Sequence, residues 1–387
     1  MRKYILLILI LFVFQAYSQE RKWTLNGYVK DLQMFYFPGE GIYGTDIGTL
    51  NANIIHNRLN FKWYASDKTT VVIEMRNRLL SGNMISKFPE YKSTIDYDNG
   101  WLDLSWIPAE GKNWFFHSVT DRAYIDYTTG NWQVRIGRQR INWGIGLVWN
   151  PNDVFNTFSY FDFDYEERPG TDAVKVQYYT GTTSSAELVC KMGKDKHHRA
   201  VAGLYRFTRW DYDFQLLSGW VGDDYVAGGG WSGDIKGAGF RGEFTHFFPR
   251  NNVENPVEST VASISGDYTF RNSLYIHAGV LYNSKGTTGK AGGMDILFNP
   301  DMSAKNLSYA KYSIFGQTSF PFTPLFSGDF SGILDPCDRS FYLGPSVTWS
   351  LQTNVELMLT GQLFFGDKGT EYGDIGQLAF ARLRWSF

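Results

Sequence analysis

The last thirteen residues, "IGQLAFARLRWSF" (Ile375–Phe387), decide the fold. From Ala379 onward every second residue is apolar: Ala379, Ala381, Leu383, Trp385 and Phe387. Between them stand Arg382, Arg384 and Ser386. A period of two is that of a β-strand, whose successive side chains point to opposite faces, here one apolar and one charged. The solvent such a strand meets is indicated at the other end of the chain. In "MRKYILLILILFVFQAYSQE" (residues 1–20), Arg2 and Lys3 precede an apolar core from Tyr4 to Phe14, and Ala16-Tyr17-Ser18 follows as a cleavage site. This is the pattern of a secretory signal peptide, residues 1–18, too short for a comfortable membrane span. No cysteine lies at the cleavage point, which argues against a lipoprotein.

An exported chain that finishes on Phe387 in this alternation resembles the bacterial outer-membrane β-barrels. The resemblance implies that Leu383, Trp385 and Phe387 form the signal read by the barrel-assembly machinery. An ordinary sandwich edge strand would explain the alternation but not the exported start. Composition agrees with a barrel: aromatics reach 17%, with 40 Gly and 12 Pro, and the mature chain has no apolar run long enough for a membrane helix. The net charge of −2 gives no basis for nucleic-acid binding. The glycine-rich "VAGGGWSGD" lies among strand-like segments with no helical pattern after it, so it is not a nucleotide loop. Cys190 and Cys337 fall about half a barrel apart, and no disulfide is expected between them.

Period-two runs recur about every twenty residues along the chain. Seventeen are legible, from "WTLNGYVKDLQMFYF" at the start through "LSYAKYSIFGQ" (307–317) to the terminal strand. Bacterial single-chain barrels have an even number of strands with both ends on the same side. Counting from the two ends agrees only if a further strand, "DYVAGGGWSG", lies between Trp220 and Gly237. The expected fold is therefore all-β: a single transmembrane antiparallel up-and-down barrel of eighteen strands over residues 19–387. A sixteen-strand barrel is the runner-up. Parity makes "SDK", "TTGN", "RN", "PFTP" and "QTN" short periplasmic turns. Residues 38–49, 81–112, 143–170 and 285–306 become long extracellular loops. No segment of the size of a plug domain precedes the first strand, which disfavours an energised plugged receptor.

The same alternation assigns an interior. Its inward cations are Arg58, Lys62, Arg76, Arg78, Arg122, Arg135, Lys175, Arg206, Arg241, Lys311, Arg382 and Arg384. Its inward acids are Glu74, Asp126, Glu187, Glu243, Asp267 and Glu356. Charges in hydrocarbon are costly, so such an interior is either wet or paired. A wet, cationic wall would favour anionic solutes; a paired one would hold together a plugged barrel.

One stretch departs from the strand period: "RIGRQRINWGIGLVWNPNDVFN" (135–156). With "DRAYIDYTTGNWQV" before it, it resembles a motif of porin-like outer-membrane channels of Gram-negative bacteria. The matching residues are Arg122, Ala123, Tyr124, Gly137, Arg138, Gln139, Trp143, Gly144, Asn150, Pro151 and Asp153, with Arg241, Gly242 and Glu243 in a later strand. Arg122 stands where that family more often carries Glu, so the resemblance leaves the arginines without an obvious acidic partner. Val134 and Ile136 point outward and Arg135 inward; the phase is expected to slip at Gly137 through a bulge that re-aims Arg138 and Arg140. Beyond it, Phe155, Phe158, Tyr160, Phe161, Phe163 and Tyr165 are too many aromatics for a solvated loop and should bury against the inner wall. Asp153, Asp162, Asp164, Glu166 and Glu167 could then face the arginines across a narrow eyelet, making 143–170 a candidate constriction loop. A loop packed over the mouth, or a protomer contact, is the plainer reading.

No His follows a nucleophile motif, and adjacent His197 and His198 are poorly spaced for one metal, so neither an outer-membrane lipid hydrolase nor a metal or cofactor site is expected. The reading is a passive porin-like channel in outer-membrane lipid for small hydrophilic, including anionic, solutes. Its rival is a closed barrel acting as a scaffold in a surface or secretion complex. The oligomeric state is left open.

Overall fold

The computed structural model of the chain describes residues 22–39, 48–88, 90–98, 100–164, 167–250, 256–292 and 302–387. The expected signal peptide and Tyr165 and Glu166 lie outside the described residues. The strands are β1 (Trp23–Pro38), β2 (Leu50–Ser66), β3 (Thr69–Ser81), β4 (Ser105–Gly111), β5 (Trp114–Thr129), β6 (Trp132–Gln139), β7 (Thr171–Tyr179), β8 (Ser185–Lys191), β9 (Ala200–Arg209) and β10 (Tyr212–Val221). They continue with β11 (Asp224–Ile235), β12 (Ala238–Pro249), β13 (Ser259–Thr269), β14 (Tyr275–Asn283), β15 (Tyr312–Thr323), β16 (Phe326–Asp335), β17 (Ser340–Gln352), β18 (Val355–Phe365) and β19 (Gly376–Ser386). Two short helices, α1 (Asn83–Lys87) and α2 (Glu90–Ile95), precede β4.

Each strand pairs antiparallel with its neighbour, and β19 closes on β1, with Tyr28 opposite Ser386 and Pro38 opposite Gly376. β3 pairs directly with β5, while β4 lies on the other edge of β5 beyond the end of β6. The closed ring therefore holds eighteen strands, and β4 is an accessory. The strand expected between Trp220 and Gly237 is β11. The run at 307–317 starts later than its alternation suggested: β15 begins at Tyr312. Ser308 and Ala310 instead donate to Glu371 in the opposite loop, so the alternating residues before Tyr312 belong to a loop.

Short turns gather at one rim and long loops at the other. Trp210-Asp211 and Lys236-Gly237 are two-residue turns with positive φ at both positions, the geometry that matches strand twist in a tight hairpin. The outer surface alternates as the sequence indicates. Exposed Trp23, Trp63, Trp132, Trp349 and Trp385 ring the turn rim, and Phe37, Trp114, Tyr225, Phe248 and Tyr312 ring the loop rim. Between the rings stand exposed Ile73, Ile136, Leu188, Ile264, Val280 and Leu359. An apolar band bounded by aromatic girdles is the surface that a bilayer, not water, stabilises.

The ladder corrects one expectation. β6 runs through Gly137 without a register shift on either side, Tyr124 opposite on one and Ala173 on the other, so no bulge occurs there. Gly137 is instead fixed by a φ of 119°; a Cβ would sit 2.2 Å from the Ala123 carbonyl oxygen. The bulge lies in β5, where Glu74 faces Arg122 but Met75 faces Thr120, leaving Asp121 as the extra residue. That insertion places Asp121 and Arg122 together in the interior, both buried.

Candidate channel interior

The segment from Arg140 to Gly170 leaves β6 and returns to the adjacent β7, but between them it contacts strands around the whole inner wall. The indole of Trp143 donates to Glu187 on β8 at 2.6 Å, and Gln215 on β10 donates to the Trp143 carbonyl. Glu243 on β12 accepts from three backbone amides of the segment, those of Ile145 (2.5 Å), Gly146 and Asn152 (3.0 Å). Ser263 on β13 donates to the Trp149 carbonyl, and Gln362 on β18 donates to that of Phe161. The segment thus spends its backbone polar groups on lumen-facing side chains, as a chain lacking its own ladder must.

Its aromatics follow the same path. Phe155 meets Trp143 edge-on at 4.7 Å; Tyr160 meets Phe315 and Tyr342 on β15 and β17; Phe161 packs on Phe364, and Phe163 on Phe380. Burial of these rings was legible from composition alone, because so many could not stay solvated.

The acids close the lap. Asp164 accepts from Lys30 on β1 at 2.7 Å and stands 3.8 Å from Arg382 on β19. Its carboxyl is raised above the usual range because burial outweighs Lys30 and Arg382. Glu167 lies 3.5 Å from Arg58, while Arg122 donates to the carbonyls of Glu167 and Arg168. These contacts are direct, so the acids bridge to the wall and do not face it across a gap. Asp153 differs: it is fully buried, and burial pushes its carboxyl up to about 8 despite Arg140. Asp162 contributes its carbonyl, which accepts from Arg168.

Arg58, with no exposed side-chain surface, binds Asp121 at 2.5 Å and Glu74 at 2.7 Å. Asp121 also lies 3.8 Å from Arg76. Asp121 is therefore the acid that the sequence left unassigned, one residue before the place where the resemblance would put it. The bulge that delivers it has no signature in the alternation. Lys30, not among the expected inward cations, shares the parity of the inward Leu32, Met34 and Tyr36 and is buried with them. Arg78 meets His117 at 3.0 Å.

The remaining candidates line the turn-rim half. Arg135 pairs with Asp126 and stacks over Tyr124 at 4.5 Å. Lys175 lies 3.6 Å from Glu187, Arg241 pairs with Asp267, and Arg382 pairs with Glu356 at 2.8 Å. Arg384 lies over the Tyr28 ring at 4.4 Å. Arg135, Arg241, Asp126 and Asp267 all retain accessible side-chain surface. Arg138 does not join this set. It keeps the outward register of β6, facing Asp172 across the ladder, and bonds Asp172 (2.8 Å), Asp98 (2.6 Å) and the Leu102 carbonyl. Its charge is thus covered by Asp98, Asp172 and the Leu102 carbonyl without turning inward. Arg140 lies 5.6 Å over the Phe158 ring. At the seam, Phe387 exchanges two backbone hydrogen bonds with Gly27, and Leu383 and Trp385 face outward.

In sequence, no family model and no curated protein matches the chain significantly. In structure it is similar to OccAB4 of Acinetobacter baumannii, with a TM-score of 0.61 at 7% identity over 95% of this chain and 99% of that one. A BenF-like porin from Pseudomonas fluorescens Pf-5 matches at 0.61 with 10% identity, over 95% and 99%. OccK9 (OpdG) of Pseudomonas aeruginosa matches at 0.61 with 10% identity, over 94% and 97%. At such identities the likeness establishes a shared fold across the full barrel.

Proposed function

We propose that this chain is an outer-membrane channel of a Gram-negative bacterium, passing small hydrophilic solutes by passive diffusion and favouring anions. The observation that carries the reading is the interior: Arg135, Lys175, Arg241 and Arg384 line the turn-rim half, where charges stay partly accessible, while the outside is a girdled apolar band. A wall of fixed cations raises the local concentration of anions and sets selectivity. The porin fold of the structural neighbours supports the same reading. Export by residues 1–18 and assembly through Leu383, Trp385 and Phe387 complete it.

In this proposal residues 143–170 are the constriction. The segment circles the inner wall at the loop-rim half, so solute passes beside it, and Asp164 and Glu167 occupy cations that would otherwise meet the solute first. A closed scaffold barrel is favoured by one observation, the continuous packing of Trp143, Phe155, Tyr160 and Phe161 against the wall. Liposome swelling separates the two. Folded protein is expected to admit small organic acids faster than neutral sugars of equal size; no swelling with either would favour the scaffold.

A further inference from the structure

The outer wall is apolar around most of its circumference, but one sector breaks the rule. On β1, β2 and β3 the outward register carries Asp31, Gln33, Asn51, Asn53, Asn57 and Asn77. Asn51 and Asn53 lie toward the loop rim, Asn53 opposite Ser81 at the end of β3, and the others stand further down the wall. Asp31 is exposed midway along β1, and its two ladder partners, Ile55 and Leu383, are exposed apolar residues of the bilayer band. Asn53 donates to Asp31 at 2.5 Å and Gln33 donates at 3.3 Å; Asn77 donates to Asn57 at 3.5 Å. The side chains form a stripe of two bonded groups, Gln33–Asp31–Asn53 on β1 and β2 and Asn57–Asn77 on β2 and β3, the second also tied to the Tyr28 carbonyl and the Ser118 hydroxyl. By contrast, the outward register of β13, β14, β15 and β18 carries Ala262, Ile264, Ala278, Val280, Ile314, Leu357, Leu359 and glycines, with Thr260 and Thr318 as isolated polar residues.

A carboxylate and a row of amides facing acyl chains lose the hydration that nothing in lipid replaces. We propose that this stripe is the contact between two copies of the chain, related by a two-fold axis that passes along β2. Three observations select this occupant. Amides carry donors and acceptors together, so a row of Asn and Gln is complementary to a copy of itself. Ser118 and Thr120 extend the polar sector onto β5, and the outward Arg138 and Asp172 are covered by Asp98 and Leu102; among the described residues the rest of the outward band offers no second row of amides, so a head-to-tail ring would set the stripe against apolar wall and leave it unsatisfied. No cation stands in the outward register of β1, β2, β3 or β5, so Asp31 must be served by amide donors. With the axis on β2, β1 of one copy stands opposite β3 of the other. Each Asp31 then faces the amide side of Asn77, and the two carboxylates stay roughly 10 Å apart, two strand spacings. Directly above the stripe, a groove of about 670 Å³ lined by Asn51, Leu79, Ser81, Asn113 and Trp114 opens on the same face, so the second copy covers a continuous patch from mid-wall to rim.

The test is oxidative cross-linking in intact outer membranes, with Cys190→Ser and Cys337→Ser as background. Asn57→Cys, near the axis, is expected to give a covalent product of twice the barrel's mass, while Val280→Cys on the far wall stays monomeric. A monomeric Asn57→Cys chain, equal cross-linking of both variants, or a product of any other mass overturns the proposal. Asp31→Leu with Asn77→Leu, whose folding is followed by heat-modifiable migration, is expected to keep a folded barrel and lose most of the dimer. A dimer fraction unchanged in that variant also overturns it.

Discussion

Arg58 is a fully buried guanidinium held by Asp121, Glu74 and Glu167, which offset the cost of burying its fixed charge. Asp121→Ala is expected to destabilise the folded barrel by about 3 kcal/mol, because it strands a buried cation instead of removing a pair. Urea unfolding in lipid vesicles measures this, and a loss within error of zero would show that Glu74 and Glu167 suffice. Asp153 gives the complementary case of a buried acid. Its carboxyl is raised from 3.8 to about 8, so the folded state favours the protonated form. The stabilisation from that proton is fully present below the unfolded value near 3.8, declines as pH rises, and is gone above about 8. Wild-type stability is therefore expected to fall with pH across this window, and Asp153→Asn to flatten that part of the profile. An unchanged slope in the variant would mean that other groups control it. At this scale, charge identity was readable but geometry was not: the inward Arg58 and Arg135 follow from parity, whereas Asp121 depends on a bulge that no local residue announces.

At the scale of elements, the strands were the most legible part. Alternation located seventeen, and the requirement of an even count supplied β11, whose glycines mask its own period. The start of β15 was misplaced because Leu307 to Lys311 alternate by composition while Glu371 draws Ser308 and Ala310 into a loop. The two arginines beyond Gly137 imply a bulge there in sequence, but Arg138 is neutralised where it stands by Asp98 and Asp172. The 143–170 segment is the element on which the functional reading turns. Removing residues 155–166 deletes Tyr160, Phe161 and the Asp164 link to Lys30 while leaving the Glu243 anchor of the first turn. Single-channel conductance is expected to rise in that variant; an unchanged conductance from a folded barrel would place the narrowest point elsewhere.

At the scale of the whole molecule, the outside and the inside are governed by different solvents. The band between the aromatic rings is stabilised by acyl chains, and the polar stripe of β1–β3 is the place where that rule fails. Inside, charges concentrate where the inner segment leaves room, with Arg135 and Lys175 side by side on β6 and β7, Arg241 on β12, and Arg382 and Arg384 near the seam. Many of these cations are paired within the barrel, so selectivity depends on how far the solute shares them with Asp126, Glu187, Asp267 and Glu356. The most direct measurement is the reversal potential of the folded barrel in a planar bilayer under a salt gradient. A cationic wall in an open channel predicts a potential of the sign set by anion flow, reduced when Arg135 and Arg241 are neutralised together. A cation-selective potential, or no conductance from correctly folded protein, would contradict it.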